Sequence, residues 1–416
     1  MTSVDIAIIG AGAAGIAAGR RLRGSGLSFL FLEASNRVGG RAWTRTLDGL
    51  PLDLGCGWLH SAERNPWVSI AETEGFAVDK TPSAWGKQFA DLGFSAAEQS
   101  DAWQAFQDFN HSLAEKPPAS DRAIDALAPN RPWNAFLEAL SSYMNGAPLD
   151  ALSVADYLAY DSAATRTNWR IAEGYGTLIA AAAQGLPIHL SSPVTMVDRR
   201  SNPLVLTTPR GRVEARAAII AVPTSVLARN ALRFIPDLEV KTEAANALPL
   251  GLADKLFLRF DGAEEVDADQ HLLGNPRRAE TGSYYLRPFG RPIVEAFFGG
   301  TAARQLEREG LDGMTAFAVD ELSDLFGSSM RGRLRPLAGS RWAETDWIWG
   351  SYSHACPGHA AARSALAAPV ENRIAFAGEA CSPNDFSTAH GAFESGERAA
   401  EAVLAWLGEE QSDRNG

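Results

Sequence analysis

The residues with the plainest chemical purpose stand at the start of the chain: Gly10, Gly12 and Gly15, in the run Asp5-Ile6-Ala7-Ile8-Ile9-Gly10-Ala11-Gly12-Ala13-Ala14-Gly15. An apolar strand enters this turn and an alanine-rich helix leaves it. Gly10 permits the tight turn, Gly12 lets backbone approach a pyrophosphate, and Gly15 lets the helix lie close on the strand. The anion would sit at the helix N-terminus, where unpaired N–H groups and the dipole favour it. Glu33 closes a second apolar run, Ser28-Phe29-Leu30-Phe31-Leu32, at the place where a ribose diol needs an acceptor. Together these features predict a dinucleotide site.

The following segment indicates which dinucleotide. Glu33-Ala34-Ser35-Asn36-Arg37-Val38-Gly39-Gly40-Arg41 adds a second glycine pair and sets Arg37 and Arg41 beside the expected phosphates, and nicotinamide dehydrogenases do not usually continue this way. From here the chain resembles the flavin-containing amine oxidase family, the group of monoamine oxidases, polyamine oxidases and lysine-specific histone demethylases. The resemblance recurs in order along the chain. Leu52-Asp53-Leu54-Gly55-Cys56-Gly57-Trp58-Leu59-His60 is similar to the family's segment under the flavin, and Glu173 to Leu178 and Pro193 to Val197 to the helix and strand on the adenine side. Phe376-Ala377-Gly378-Glu379 and the stretch from His390 to Ala400 resemble its second flavin-binding element. The resemblance implies FAD held by Gly10, Gly12, Ala14, Gly15, Glu33, Ala34, Arg37, Gly40, Arg41, Gly57, Trp58, Val194, Gly378, Glu379, Thr388 and Ala389.

It also implies a reaction. An amine oxidase removes a hydride from the carbon next to nitrogen, which is activated only while the nitrogen lone pair is free. A largely apolar cavity favours the neutral amine by desolvation, and the flavin takes the electrons. The protein then has to position groups and stabilise charge. The helix beginning near Ala389 would aim its N-terminal N–H groups at the flavin N1 and O2 edge. Lys255 by itself is one polar residue on a strand whose other face is apolar; the family places there a lysine that holds a water against the flavin N5.

Trp342, and Tyr352 within Trp349-Gly350-Ser351-Tyr352, resemble the tryptophan and tyrosine beside the isoalloxazine ring. Ser351 takes the place of the cysteine that monoamine oxidases bond to flavin, so non-covalent FAD is expected. Thr388 stands in place of the second tyrosine of monoamine oxidases, which leaves the aromatic pair incomplete. Phe386, two residues earlier, fills the slot, or the slot is wider and more polar. His354 occupies a position that is aromatic in polyamine oxidases. His60 resembles a histidine near the substrate nitrogen, and with His354 it implies two groups titrating near neutral pH. The expected catalytic set is thus Lys255, Trp342, His60 and Tyr352, with His354, Phe386 and Thr388 lining the substrate pocket.

Elements must bring these distant positions together. The flavin patches lie at both ends and in the middle of the 416 residues, which implies an α/β fold: a Rossmann-like FAD-binding domain assembled from the discontinuous segments 1–70, 171–240 and 345–416. Residues 71–170 and 241–344 would form an α+β substrate-binding domain. Trp103, Phe106, Phe109 and Leu113 recur at helical spacing, as do Phe136, Leu137, Leu140, Tyr143 and Met144. Leu256, Leu258 and Phe260 alternate as in a strand, Tyr284-Tyr285-Leu286 and Ile293 to Phe298 are strand-like, and Met314 to Phe326 reads as an amphipathic helix. A mixed sheet capped by helices, its open face towards the flavin, is expected there.

Composition narrows the partners. With 46% hydrophobic and 21% charged residues the chain is ordinary for a globular protein. Cys56, Cys356 and Cys381 are odd in number and lack metal-ligand spacing, so free thiols and no metal are expected. A net charge of −12 argues against nucleic acid or anionic membrane and mildly favours cationic ligands. No apolar run reaches a membrane span, the first strand begins too early to leave room for a signal peptide, and the chain stops at Gly416 where membrane-anchored relatives carry a further helix. A cytoplasmic FAD-dependent amine oxidase using molecular oxygen follows, giving an imine, then an aldehyde or ketone, and hydrogen peroxide; a homodimer is compatible with it. Three alternatives stay open: an L-amino-acid oxidase, with Arg166, Arg170 or Arg287 for the carboxylate; an amine dehydrogenase using another acceptor; and a non-catalytic FAD-containing binding module.

Overall fold

Hydrophobic runs buried on both faces build the larger sheet of this computed structural model, which describes residues 2–415 and side chains as far as 409. Thr2–Ile9 lies between Phe29–Leu32 and Gly211–Ile220, parallel to both. Ile188–His189 adds a parallel edge beyond Phe29–Leu32, and Ile374–Phe376 joins Gly211–Ile220 in parallel. Leu204–Thr208 runs antiparallel to Gly211–Ile220 and to Met196–Asp198, which pairs in parallel with Arg233–Ile235. Eight strands result, from three distant stretches of chain. On one face Ile6, Ile8 and Phe31 pack with Ile16 of the first helix, Ala13–Leu22, and Val403 of the last, Ala389–Asn415. Ala7, Ile9, Ala218 and Ile220 face the other way, onto the helices Glu239–Ala247 and Ala362–Ala367. Burial on both faces is why these strands read as unbroken apolar runs.

The second sheet has five strands in the order Gln270–Leu273, Ser283–Leu286, Ile293–Gly299, Ala253–Phe260, Leu334–Gly339. Every pairing in it is antiparallel. The mixed sheet expected at this place is therefore corrected: the parallel pairings belong to the nucleotide sheet, while short connections make hairpins here. Leu256, Leu258, Tyr284, Val294, Ala296 and Phe298 pack beneath Met314, Ala318 and Leu322 of the helix Gly300–Phe326, which is interrupted at Gly310. Alternation puts Lys255, Phe257, Glu295, Phe297, Ser283 and Tyr285 on the opposite face. Across that face runs the segment after Leu50–Asp53, whose Leu52 and Leu54 pack with Phe257.

The helices Ala96–Glu115, Asn134–Asn145 and Val154–Ala163 bury Phe109, Leu113, Phe136, Leu137 and Tyr157 against one another. Ser95 and Glu98 close the first of them with a capping box. Met144 lies outside this core and is exposed. A small three-stranded sheet, Leu59–His60, Asn168–Ile171 and Val78–Asp79, brings His60 beside Asn168.

Candidate active site

Two of the three glycines in the first turn are demanded by the protein itself. Gly10 has φ +103°, and a Cβ on Gly15 would lie 2.0 Å from the Gly10 carbonyl oxygen. Gly12 differs. Its φ is −81°, which any residue adopts, and a Cβ there would meet nothing nearer than 3.9 Å. The opening lies at the N-terminus of the first helix, where a phosphate would need it. Gly39 donates to the Ala11 carbonyl at 2.8 Å and pairs with Gly12, with Gly40 next to it. Glu33, buried, accepts from the N–H groups of Ala11 (2.6 Å) and Ser35 (2.7 Å), with Ala34 half-buried between. A Cβ on Gly378 would be 4.0 Å from its nearest neighbour, the Val222 carbonyl oxygen. These openings, with the Glu33 carboxylate at the first, fit a dinucleotide. Ala14 is buried in the helix's first turn and Val194 in the core.

The two arginines each have partners within the protein. Arg37 stacks on Trp43 at 4.6 Å, and burial draws its guanidinium down to about 10 despite Glu33. Arg41 Nη1 donates to Glu379 Oε1 (2.8 Å) and the Ser351 carbonyl (2.7 Å), so it ties the N-terminal loop to the C-terminal flavin element. Glu379 also accepts from Ser353 Oγ (2.6 Å) and the Ser387 N–H (2.9 Å). Burial would raise that carboxyl, but Arg41, Ser353 and Arg363 outweigh it and hold it below the usual range. A buried carboxylate needs such a cation.

Lys255 is buried, with Nζ 2.8 Å from Glu295 Oε1 on the neighbouring strand. A Cβ on Gly57 would stand 3.0 Å from that Nζ. Burial draws the ammonium down, yet Glu295 and Asp53 outweigh it and hold it above the ordinary lysine value. Asp53, itself pushed up by burial, accepts from the N–H groups of Tyr175 (2.9 Å) and Gly176 (3.2 Å) at the start of the helix Tyr175–Ala181. Trp342 is fixed at two points. Its indole Nε1 donates to the Leu54 carbonyl (3.0 Å) and its backbone N–H to Asp254 Oδ1 (3.1 Å). Lys255 and Trp342 thus share the segment 53–57 and the acid next to the lysine.

His60 Nδ1 lies 2.7 Å from Asn168 Oδ1, whose amide nitrogen donates to the Arg166 carbonyl. An amide oxygen only accepts, so Nδ1 carries the proton and Nε2 is an acceptor. Burial draws the ring down to about 4. Trp85 covers it at a ring separation of 6.0 Å, and Trp58 meets Trp85 at 4.4 Å and Tyr285 at 5.8 Å. Behind Trp58 lies Arg170, held by Asp79 (2.5 Å) and Asp269 (2.8 Å).

On the far side, Tyr352 donates to the Tyr143 carbonyl (2.6 Å). Ser351 Oγ donates to the Ala253 carbonyl and accepts from the Ala253 N–H, both at 2.8 Å. His354 is buried with Nδ1 unpartnered, and burial draws it to about 4. The expectation of two histidines titrating near neutrality is thereby corrected; enclosure, which a sequence does not display, keeps both uncharged. Phe386 packs on Tyr160 at 5.5 Å and lies 3.5 Å from the Arg363 guanidinium, which forms a buried pair with Asp156 (2.5 and 2.8 Å). It serves that core, whereas Tyr160 reaches near enough to Tyr352 to perturb it, after burial, in the same upward direction. The Thr388 hydroxyl donates to the Asp385 carbonyl (2.6 Å) and accepts from the Gly391 N–H (3.0 Å), capping the last helix. The Ala389 carbonyl accepts from Trp67 Nε1 (3.1 Å).

Several neighbours have no sequence signature. Trp85 lies in an aperiodic loop, and the contact of Asp385 with Arg64 joins residues far apart in the chain. Glu295 did leave a signal, an acid inside the apolar strand Ile293 to Phe298.

A profile of flavin-containing amine oxidoreductases matches residues 104–404 of this chain, and one of NAD(P)-binding Rossmann-like domains matches residues 8–71. The chain belongs to the flavin-containing amine oxidoreductase family. As a member it is a flavin-dependent amine oxidoreductase with FAD as cofactor. Among its relatives, polyamine oxidase 4 of Oryza sativa subsp. japonica is 28% identical, aligned over 95% of this chain and 88% of its own. Polyamine oxidase 2 of Arabidopsis thaliana is 28% identical over 96% and 88%. Lysine-specific histone demethylase 1B of Mus musculus is 25% identical over 97% of this chain but 53% of its own. The fold is shared with a putrescine oxidase bound to putrescine (TM-score 0.79, 20% identity, 97% of this chain and 99% of that one). It is also shared with cyclohexylamine oxidase from Brevibacterium oxydans IH-35A (TM-score 0.77, 20% identity, 97% and 99%). Among the described residues no helix is long and apolar enough to cross a membrane.

Proposed function

We propose that the enzyme is an oxidase of primary or secondary monoamines, with residues 1–70, 171–240 and 345–416 carrying FAD and residues 71–170 and 241–344 enclosing the substrate. When bound, FAD accepts a hydride from the carbon next to the amine nitrogen and returns two electrons to molecular oxygen, so that amine and oxygen become imine and hydrogen peroxide. Water then hydrolyses the imine to an aldehyde or ketone. The observation that carries this reading is Lys255, charged and buried on the sheet face that meets Gly57. It supplies a fixed cation and a donor for a bound water. His60, uncharged with Nε2 accepting, takes an N–H of the amine without adding charge. Trp58, Trp85 and Tyr285 exclude water around it, which favours the neutral amine. The capped N-terminus of the last helix offers backbone N–H groups to developing negative charge. The Ser351 hydroxyl is engaged by Ala253 and has no thiol chemistry, so FAD is held without a covalent bond.

A single ammonium suits the surroundings better than several. The carboxylates beside His60, Trp58 and Lys255 already hold cations: Asp79 and Asp269 hold Arg170, Glu295 holds Lys255, and Asp385 holds Arg64. An amine with an apolar body therefore fits, and a polyamine, needing carboxylates for its further charges, fits less well. The arginines weigh equally against an amino-acid substrate. Arg170 is doubly paired, Arg287 donates to the carbonyls of Val266 and Gly290, and Arg166 is exposed.

Anaerobic mixing with a panel of aralkylamines, polyamines and amino acids tests this. Flavin bleaching by aralkylamines, and colour return with peroxide on admitting air, is the expected result. Bleaching by polyamines or amino acids alone, or by nothing in the panel, would refute the substrate class, and colour return only with an artificial acceptor would refute the oxidase.

A further inference from the structure

Lys255 is boxed in from several sides. Its strand lies below, Gly57 leaves it just the space of an absent side chain, and Glu295 reaches it diagonally from the neighbouring strand at 2.8 Å. The other groups facing it are Asp53, Cys56 and His60. His60 is uncharged, and burial pushes the Cys56 thiol up to about 12, so neither supplies an anion. The Asp53 carboxylate is spent on the helix Tyr175–Ala181 and on Thr44, whose hydroxyl donates to it at 2.5 Å. Glu295 has no such second duty. It stands between Lys255 and Tyr285, which pairs with it directly across the sheet.

We propose that Glu295 is the positioning residue of the oxygen step: its carboxylate fixes the Lys255 ammonium beside Gly57 and keeps it protonated over the working pH range. This rests on the part given to Lys255 in oxygen reduction. Oxygen takes up two electrons and two protons to become hydrogen peroxide, and negative charge develops as the first electron arrives. A cation that neither moves nor deprotonates stabilises that charge without reorganisation. Without Glu295 only the more distant pull of Asp53, already engaged by Tyr175, Gly176 and Thr44, opposes burial, and a lysine so enclosed sheds its proton at lower pH. Removing the carboxylate therefore converts a permanent cation into one that titrates.

Lysine is scarce in this chain, which makes the test direct. Lys80, Lys87, Lys116, Lys241 and Lys255 are all there are. Holoenzyme carrying lysine labelled with carbon-13 at Cε gives one resonance for each, and the one lost in Lys255→Met is assigned to Lys255. In the wild type this resonance is expected to keep its protonated position to a higher pH than an ordinary lysine does, because Glu295 and Asp53 outweigh burial. In Glu295→Gln its midpoint falls by about 1 to 3 units. Reoxidation by oxygen is then flat with pH in the wild type, falls through the lowered midpoint in Glu295→Gln, and becomes flat again in Glu295→Asp. An unshifted resonance in Glu295→Gln refutes the part given to Glu295. A shifted resonance with a flat oxygen profile overturns its link to the oxygen step. Undiminished reoxidation in Lys255→Met instead refutes the reading of Lys255 beneath it, and the two failures are told apart by which variant behaves as wild type.

Discussion

Gly12→Ala separates what the fold requires from what the cofactor requires. Gly12 is the N-cap of the first helix, with φ −81° and ψ −174° and no side-chain cap. Replacing an N-cap glycine by alanine costs about 0.5–1 kcal/mol, while the stiffer unfolded chain returns about 0.4–1 kcal/mol. A Cβ there clashes with nothing, its nearest neighbours being 3.9 Å away. The apoprotein should therefore melt as the wild type does, within about 0.5 kcal/mol. FAD binding should suffer, because the methyl group enters the space left for phosphate. At a FAD concentration of about 100 times Kd the cofactor stabilises the wild type by about 2.7 kcal/mol, and a hundredfold weaker Kd leaves about 0.4 kcal/mol. Quenching of flavin fluorescence on titrating apoprotein gives Kd, and thermal melting with and without FAD gives the linked stability. Gly15→Ala is the contrast, since its Cβ would stand 2.0 Å from the Gly10 carbonyl oxygen and must damage apoprotein and holoenzyme alike. Wild-type FAD affinity in Gly12→Ala, or an apoprotein destabilised by more than about 2 kcal/mol, would refute the assignment of this opening to the cofactor.

Further outcomes follow from the histidines and Ser351. His60→Ala should lower kcat/KM about tenfold, the worth of one hydrogen bond, yet leave the shape of the pH profile between pH 6 and 9 as in the wild type, because His60 stays uncharged above about 4; a lost ionisation in that window would contradict it. His354 is likewise drawn from 6.5 to about 4 by burial, so the unfolded chain binds the extra proton and stability, complete above pH 6.5, is lost as pH falls towards 4. Denaturant midpoints at pH 7 and 5 should differ less in His354→Asn than in the wild type. Acid precipitation should leave the yellow colour in the supernatant, and colour retained in the pellet would reveal a covalent flavin that Ser351 does not provide.

Legibility of the chain followed the range of each interaction. The turn from Gly10 to Gly15 is local, so its strand, helix and acid could be read in sequence. So could the strand around Lys255, whose alternation marks the buried face. Its partners could not, because apolar spacing defines a strand but not its neighbours, and for that reason the second sheet turned out antiparallel where a mixed one was expected. Glu295 was visible as an odd acid in an apolar run, but only the pairing of two strands set it against Lys255. Phe386 and Thr388 were read from the place of the family's second tyrosine, and their contacts within the protein were not legible: one packs against Arg363 and Tyr160, the other caps a helix. The pairing of Arg41 with Glu379 was equally hidden, because the buried glutamate comes from the far end of the chain.

Rapid mixing of the anaerobically reduced enzyme with oxygen tests the central claim most directly, comparing the wild type with Lys255→Met. With FAD bound in both, the variant should reoxidise about a hundredfold more slowly, the effect of losing one preorganised charge-stabilising group. Equal reoxidation rates would contradict the account, for the cation beside Gly57 would then have no part in the reaction with oxygen.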